Sequence, residues 1–524
     1  MSEAVENASM PSLPMGKRAR AKAAESEDVD LGLTPIVQVI PNLVKMRNVC
    51  IKALAAQGEV YKRNGELVDV PDGCVRRLPY EELRAKLSAC VDFQTGGDRK
   101  EVPVPDGLVG AIMSAGVWPG IAELSHMQTW PVLRKDGSLC TKAGYDKETH
   151  TYYAPPPGIE YKVAESPSRA DAVAASARLL RFVEKNTFQD DHGPAAWLSF
   201  VLTVAGRSAF TTAPAFGVDA ANQASGKSAL IRVAVGIITG EVPTGTAFIE
   251  NREEQEKRVL EAWTSERCTL FDNLEVPFGG DVFDAVLTTG SWKGRILGKT
   301  DSRKIDCSRV IFAYTGNQLS TAGDMASRTV VFRIGPPKSA GKFLIADEND
   351  LDLYTPHRAQ AASDALTILR AYKCHLAAGG AAPELPDRPV SGPCRFKGWS
   401  ECVRAAVVWL GMPDPFTAAE GTDSKGAAEQ DALARLHAMF GVRPIKGGSI
   451  ATSWERQDKE NAAAHTARLD LLKALQLVYG KRISGPIAVG FALGKLRDKK
   501  HGSLAFKKDG TDNGSNTYAF MSAK

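Results

Sequence analysis

Four consecutive residues, Ser225-Gly226-Lys227-Ser228, have the types and the order needed to hold the phosphates of a nucleotide. An apolar run at 215–218 precedes them and another at 229–235 follows, which predicts a buried strand, a tight turn and a helix. The first turn of a helix offers unpaired N–H groups and the positive end of the helix dipole to an anion. We therefore expect Lys227 to contact the β- and γ-phosphates of ATP and the Ser228 hydroxyl to bind Mg²⁺.

The loop departs from the usual phosphate-binding pattern, G-x-x-x-x-G-K-[ST], at its first glycine, which is Ala221 here. Alanine populates fewer backbone conformations than glycine, so the turn is less free to relax. On the motif alone, a chance Gly-Lys-Ser in a loop before a helix stays open as the alternative. The residues downstream favour the nucleotide site.

Two of these downstream residues end apolar runs at equal spacing. Asp272 follows Leu270-Phe271 and Asn317 ends the run 310–317, so that Lys227, Asp272 and Asn317 are evenly spaced by 45 residues. A carboxylate at the end of such a strand is the Walker B position, which holds Mg²⁺ through water. An ordinary strand that ends in an Asp turn is the alternative. We expect Asn317 to orient the attacking water beside the γ-phosphate.

A later arginine, Arg328, stands just ahead of another apolar strand. Supplied to the nucleotide of a neighbouring subunit, it would stabilise the charge on the phosphoryl group in transfer. The catalytic base is open, because the position directly after Asp272 is Asn273 rather than a glutamate. Glu275 and Glu254 are the candidates, although the charged stretch around Glu254 is also typical of a solvated helix face with internal ion pairs.

The order of these elements resembles the AAA+ ATPase core of superfamily 3 helicases, and in particular the helicase-like replication proteins of phages and mobile elements. The resemblance implies a homo-hexameric ring with ATP and Mg²⁺ between subunits, bound by Ala224, Ser225, Gly226, Lys227, Ser228 and Asp272, and with DNA in the channel. Such proteins commonly have glycine at the place of Ala224 and a double arginine at that of Ser327-Arg328. The residues that carry the resemblance are 224–228, 270–273, 295–298, 314–317 and 323–328, with further similarity at 60–68, 131–138, 144–146 and 399–415.

Residues 291–307 predict a β-hairpin, because apolar residues flank a polar and turn-rich centre at 299–304. The resemblance implies that a hairpin at this place projects into the ring channel and binds single-stranded DNA through charge. The binding residues would be Lys299, Arg303 and Lys304. A surface hairpin whose lysines keep its edge soluble is the alternative.

The C-terminal region predicts two helices, at 468–478 and 488–497, and then two strands around a Gly/Asp/Asn turn. This order is typical of a winged-helix domain, in which a helix enters a groove of duplex DNA and the wing contacts the backbone. Solvated lysines on a small packing domain are the alternative. The predicted DNA-binding residues here are Lys495, Arg497, Lys499 and Lys500.

Composition limits the class of protein. The chain has 524 residues, 44% hydrophobic content and a net charge of only +4, which is ordinary for a soluble protein of three or four domains and gives no global polyanion signal. Nine cysteines form no C-x-x-C pair, which argues against a zinc ribbon and for a reducing compartment. With no signal-peptide pattern and no apolar run long enough to cross a bilayer, we expect a cytoplasmic protein without membrane contact.

We therefore expect an α/β protein with an AAA+ P-loop core, an N-terminal α+β domain and a C-terminal winged-helix-like domain. The expected function is ATP-dependent DNA helicase or translocase activity in replication of a phage or mobile element. Two alternatives stay open: an origin-binding initiator or loader ATPase without processive unwinding, and a non-catalytic DNA-binding protein with a decayed P-loop, suggested by Ala221, Ala224 and Asn273. The expected boundaries are a disordered leader at 1–30, then 31–158, 159–340 for the core with its preceding helices, a helical segment at 341–416, a linker at 417–430, and 431–524.

Overall fold

The computed structural model describes residues 36–40, 42–95, 99–220, 225–249, 251–265, 268–295, 302–317, 319, 323–335, 351–385, 396–416, 424–451, 462–479, 483, 485–512 and 514–522. The chain divides by its contacts into two compact units. The first combines residues 1–57 with 79–114, and the second combines 58–78 with 115–524. No helix among the described residues is long and apolar enough to cross a membrane.

The β-strands run in chain order as follows: β1 Ile36–Val39, β2 Tyr61–Arg63, β3 Glu66–Asp69, β4 Arg76–Arg77, β5 Asp92–Thr95, β6 Ala122–Glu123, β7 His126–Gln128, β8 Val132–Leu133, β9 Leu139–Cys140, β10 Gly144–Asp146, β11 Thr151–Tyr153, β12 Ala215–Ala220, β13 Gly245–Thr246, β14 Cys268–Leu274, β15 Ser291–Arg295, β16 Ser302–Asp306, β17 Ile311–Asn317, β18 Thr329–Ile334, β19 Ile445–Lys446, β20 Lys500–His501, β21 Leu504–Asp512 and β22 Ser515–Ser522.

The α-helices follow the same order: α1 Leu43–Gln57, α2 Tyr80–Cys90, α3 Leu108–Met113, α4 Arg169–Leu180, α5 His192–Gly206, α6 Lys227–Thr239, α7 Arg252–Ser265, α8 Asp281–Thr289, α9 Leu351–Ala377, α10 Lys397–Trp399, α11 Ala405–Trp409, α12 Ser424–Phe440, α13 Gly447–Ala451, α14 Ala462–Tyr479 and α15 Pro486–Lys495. A π-helical turn at Ser400–Arg404 joins α10 to α11.

The first unit is small. Its two strands, β1 and β5, pair in parallel, with Ile36 opposite Asp92 and Val39 opposite Thr95. Helices α1, α2 and α3 pack on one another and bury Leu54, Leu87 and Ile112. In the second unit, the residues before α4 form short sheets of order β4-β3-β2-β6, β10-β11-β7 and β8-β9.

The centre of the second unit is a five-stranded sheet of order β13-β14-β17-β12-β18, in which all pairs are parallel. Strands β12 and β17 are almost entirely buried, which explains why both read as continuous apolar runs in the sequence. The two strands approach closely at Gly217, where a Cβ would lie 2.6 Å from the Tyr314 ring. Helices α5, α6 and α9 pack together beside the sheet.

The C-terminal part of this unit has a core of its own, formed by α12 to α15 and an antiparallel sheet of order β19-β22-β21-β20. Helices α13 and α15 approach closely at Gly447, where a Cβ would lie 2.5 Å from the Pro486 carbonyl oxygen. Strands β21 and β22 form a long hairpin with a bulge between Lys508 and Gly510.

Most predicted elements are present with small shifts of their ends, and the mixed α/β class with a parallel sheet is confirmed. The hairpin at 291–307 is confirmed as the antiparallel pair β15 and β16, with Ser291 opposite Asp306 and Arg295 opposite Ser302. Strand β16 begins at Ser302, within the predicted centre at 299–304, and residues 296–301 lie outside the described residues. The loop residues 221–224 and residues 417–423 of the linker expected at 417–430 lie outside the described residues, and α12 begins within that expected linker, at Ser424.

Candidate nucleotide-binding site

The predicted nucleotide residues meet at the carboxyl edge of the central sheet. Strands β12, β14 and β17 are parallel, so their ends at Ala220, Leu274 and Asn317 lie on the same edge. Helix α6 begins at Lys227, directly after Gly226, whose φ of +85° places it in the left-handed region where glycine is favoured. The sequence folds this way because a buried strand, a glycine-containing turn and an apolar helix follow one another without a break.

Lys227 is anchored by polar groups from two elements. Its Nζ donates to Asn317 Oδ1 at 2.8 Å and to Ser225 Oγ at 3.3 Å. Lys227 is only 8% exposed and Ser225 is buried. Residues 90 positions apart in sequence are therefore in direct contact, with the lysine of the loop bonded to the amide at the tip of β17.

Asp272 accepts two hydroxyl hydrogen bonds on one carboxylate oxygen. The Ser228 hydroxyl donates to Oδ1 at 2.6 Å, and the Thr315 hydroxyl donates to the same atom at 2.5 Å. Thr315 Oγ1 in turn accepts from the Asn273 N–H at 2.9 Å. One hydroxyl of β17 therefore bonds both the carboxylate and the backbone of β14 at the sheet edge.

Strand β14 is bulged at this point. Its register with β17 shifts between Phe271 and Leu274, and Asn273 has a φ of +55°. Asn273 is exposed, whereas Asp272 is half-buried. The bulge therefore turns position 273 to solvent and leaves Asp272 beside Ser228.

The electrostatic environment of Lys227 combines burial with two carboxylates. Burial lowers the pKa of Lys227 below its ordinary value, and the charges of Asp219 and Asp272 partly offset that effect. The lysine therefore bears its charge in a partly desolvated place, where a phosphate would be a favourable partner.

Asp219 is a site residue that the sequence interpretation missed. It lies next to the end of β12, and its Oδ1 accepts from the Leu319 N–H at 3.0 Å. Its Oδ2 lies 3.4 Å from Arg333 Nε on β18. Asp219 thus joins the end of β12 to β18 and to the segment after β17, the two strands that flank β12 in the sheet. An acid inside an apolar strand was the available signal.

The residues present suit a magnesium ion held with a nucleotide. Ser228 Oγ and the Asp272 carboxylate are adjacent oxygen donors, and Mg²⁺ in such sites takes one or two protein ligands and completes its shell with water and phosphate oxygens. Within the described parts of the chain, no group of three or more His, Cys, Asp or Glu side chains is placed to hold a metal by protein ligands alone. A metal bound there would therefore depend on the nucleotide.

Arg328 ends a 3₁₀ turn at Gly323–Arg328 and points into its own chain. Its Nη1 lies 3.2 Å from Asp284 Oδ1, its Nε donates to Thr288 Oγ1 at 3.0 Å, and only 8% of its side chain is exposed. Asp284 and Thr288 are one turn apart on α8. In this arrangement the guanidinium is held within the subunit, so its predicted role toward a neighbour requires that this ion pair open.

Neither predicted base contacts Asp272 in the described geometry. Glu254 lies on α7 and pairs with Lys257 at 2.5 Å. This pair agrees with the alternative prediction of a solvated helix face with internal ion pairs. Glu275 is exposed just beyond β14, and its backbone carbonyl accepts from Gln476 Nε2 at 3.0 Å. The identity of the base stays a prediction for both residues.

The predicted DNA-binding residues are distributed over two places. Lys299, between β15 and β16 in sequence, lies outside the described residues, and so does Ala224 of the phosphate loop. Arg303 and Lys304 lie on β16, where they pair with Gly294 and Lys293. In the C-terminal part, the following partners are observed: Lys495 Nζ donates to the Tyr479 carbonyl oxygen at 2.6 Å, Lys499 pairs with Glu429 at 2.8 Å, Arg497 lies 3.4 Å from Asp498, and Lys500 is exposed on β20.

Two of the solved structures that are similar to this chain share little sequence with it. No protein-family model matches the chain, and no curated protein matches it. The A-form apo structure of the NrS-1 C-terminal region is similar at 8% identity and a TM-score of 0.38, over 91% of this chain and 100% of that one. The SCCmec type IV Cch, described as an active helicase, is similar at 10% identity and a TM-score of 0.36, over 87% and 90%. These similarities concern the fold alone and assign the chain to no family.

Proposed function

We propose that the chain is an ATP-dependent DNA helicase or translocase of the AAA+ type that acts in replication of a phage or mobile element. One observation carries the proposal: Lys227 and Ser228 of α6, Asp272 of β14 and Asn317 of β17 come from three separate segments and meet at one edge of a parallel sheet. The strand of Asn317 lies between those of the phosphate loop and Asp272. This strand order places the Asn317 amide between Lys227 and Asp272. A residue in that position would lie beside the γ-phosphate of a bound nucleotide and could respond to it.

Phosphate binding follows from the start of α6. The N–H groups of its first turn have no partner within the helix, and Lys227 adds a positive charge at the same place. Ser228 and Asp272 would hold Mg²⁺, which when bound neutralises charge on the β- and γ-phosphates. Thr315 would keep the Asp272 carboxylate oriented toward that position.

The contact between Lys227 and Asn317 gives a simple account of how nucleotide is sensed. A phosphate oxygen is a charged acceptor and competes well with a neutral amide oxygen for the lysine. When Lys227 turns to the phosphate, the Asn317 amide is released and can position the attacking water. Glu254 and Glu275 are the proposed bases, and Arg328 of a neighbouring subunit in a homo-hexamer is the proposed stabiliser of the transferring phosphoryl group.

The hairpin β15–β16 is well placed to respond to these changes, because it directly precedes β17. Its base is fixed: the Cys307 N–H donates to the Gly290 carbonyl oxygen at 2.8 Å, and Trp292 and Ile305 are buried there. Arg309, two residues before β17, donates through Nη1 to the Ser208 carbonyl oxygen at 2.8 Å. Motion at Asn317 would be passed along one strand to the hairpin, whose Lys299, Arg303 and Lys304 are the proposed contacts to single-stranded DNA.

A fork-unwinding assay tests the proposal. Wild-type protein with ATP and Mg²⁺ should displace a labelled strand from a forked DNA duplex, whereas Lys227→Ala should not. An ATPase that hydrolyses ATP and binds duplex origin DNA without displacing the strand would replace this proposal with an initiator or loader. A protein that binds DNA but neither binds nor hydrolyses ATP would replace it with a non-catalytic DNA-binding protein.

A further inference from the structure

Helix α15 presents an apolar stripe to solvent. Ile487 is 78% exposed and Phe491 is 61% exposed, and with Lys495 they stand at i, i+4 and i+8, on one face of the helix. The opposite face, with Val489, is buried in the C-terminal core. Two large apolar side chains one turn apart on the exposed face of a helix form a candidate binding surface.

The residue types of α15 do not suit base reading in duplex DNA. If this part of the chain is a winged-helix domain, α15 directly precedes the hairpin and occupies the place of the groove-reading helix. Base edges in the major groove are read by side chains that donate or accept hydrogen bonds. Helix α15 reads Pro-Ile-Ala-Val-Gly-Phe-Ala-Leu-Gly-Lys, in which Lys495 alone has such a group. A sequence-reading role in a groove is therefore not supported.

The stripe instead forms an aromatic platform with a cation beside it. The rings of Phe491 and Tyr479 are stacked at 6.3 Å with an interplanar angle of 10°. Lys495 Nζ lies 5.3 Å from the centroid of the Tyr479 ring and donates to the Tyr479 carbonyl oxygen, which fixes its position next to the rings. We call these residues, with Ile487, the α15 platform.

The charge around the α15 platform favours a polyanion over an apolar protein partner. The described residues 485–510 contain six Lys and Arg against two Asp, and α15 itself contains no acidic residue. Arg497 and Lys500, both exposed, follow directly after the helix. Aromatic faces between cations are the features by which proteins hold single-stranded nucleic acid without reading its sequence.

We propose that the α15 platform binds single-stranded nucleic acid, with a base stacked against Phe491 and Ile487 and with the neighbouring phosphates near Lys495. Gly490, beside Phe491, leaves room for a base, since a Cβ there would meet nothing within 4 Å. The proposal depends on the proposed function only for the class of ligand. It adds a second contact for a strand, separate from the hairpin β15–β16.

The test is the binding of a labelled oligo(dT) to the full chain at low salt, without nucleotide, followed by fluorescence anisotropy. Phe491→Ala and Phe491→Leu should both weaken binding by about 5- to 100-fold, because each removes the ring on which a base stacks. Phe491→Trp should bind at least as well as wild type and show tryptophan quenching on binding. Lys495→Gln should lower the slope of log affinity against log salt by about 0.7.

The control is Val442→Ala, which removes another exposed apolar side chain outside the α15 platform and should bind as wild type does. If Phe491→Leu binds like wild type while Phe491→Ala does not, the surface needs apolar area rather than a ring, and the stacking proposal is wrong. Equal binding by all variants would also overturn it. Because no nucleotide is present, a failed ATPase would leave this result unaffected and the two proposals can fail separately.

Discussion

The Thr315 hydroxyl lies 2.5 Å from Asp272 Oδ1 and bonds the Asn273 N–H at 2.9 Å, so one side chain of β17 positions the carboxylate of β14 where the sheet is bulged. The Ser228 hydroxyl shares the same carboxylate oxygen at 2.6 Å. If Ser228 turns to Mg²⁺ when nucleotide binds, Thr315 is the remaining side-chain donor in this group that holds Asp272. Its contribution can be measured separately from that of the metal ligands.

Thr315→Val keeps the shape of the side chain and removes its hydroxyl. We expect the ATPase rate at saturating ATP to fall by about 10- to 100-fold with a higher Mg²⁺ requirement, as for other partners of metal ligands. The measurement is steady-state hydrolysis across a Mg²⁺ titration. Thr315→Ser restores the hydroxyl and should recover most of the rate. A Val variant with wild-type rate and Mg²⁺ dependence would remove Thr315 from the site.

The backbone at Asn273 makes a prediction about stability. Its φ of +55° is costly for a residue with a Cβ, whereas asparagine tolerates it and glycine adopts it freely. Asn273→Gly should therefore be about as stable as wild type, and Asn273→Ala should unfold with a free energy about 1 kcal/mol lower than Asn273→Gly. Urea unfolding of the three proteins measures this. An alanine variant as stable as the glycine variant would show that the bulge is absent.

The lowered pKa of Lys227 predicts a pH dependence. In the folded protein burial lowers this pKa, so between the folded value and the ordinary value of 10.5 the unfolded chain binds more protons. Stability from this residue must therefore rise with pH in that window. In urea unfolding of the nucleotide-free proteins, the free energy of unfolding of wild type minus that of Lys227→Met should increase as the pH rises toward 10.5. A difference that is constant or moves the other way would contradict the burial of a charged lysine.

Arg328 pairs with Asp284 of its own chain, so its proposed action on a neighbouring subunit needs a direct test. Lys227→Ala and Arg328→Ala should each be inactive alone, because each removes one half of every site. Mixed, they should recover activity, since some interfaces then combine Lys227 from one subunit with Arg328 from the other. The measurement is ATPase rate against mixing ratio. Without recovery, Arg328 acts within its own chain, where it already contacts α8.

Much of the site could be predicted because strand ends are easy to see in sequence. Lys227, Asp272 and Asn317 each follow an apolar run, and parallel strands bring such ends to one edge. The roles of Thr315 and Asp219 were not predicted. Thr315 lies inside an apolar run, and Asp219 directly follows one but bonds to partners about 100 residues away in sequence. Their roles come from the pairing of β12, β14 and β17, which a single sequence does not specify.

Other features depended on packing that the sequence does not display. The prediction for Arg328 was made from its place before a strand, and nothing in the spacing indicated the ion pair with Asp284. The basic cluster after α15 was visible in composition. The exposed face of α15 was not, because Ile487 and Phe491 read as core positions of an apolar helix until the register of α15 on its neighbours is known.

The central claim is tested most directly by the steady-state ATPase rate of wild type and Lys227→Ala, each with and without single-stranded DNA. We predict that DNA stimulates the wild-type rate several-fold and that Lys227→Ala is inactive in both conditions. Absence of ATP hydrolysis by the wild type with Mg²⁺ and DNA present would contradict it, and the contacts among Lys227, Asp272 and Asn317 would then be the remains of a retired nucleotide site in a DNA-binding protein.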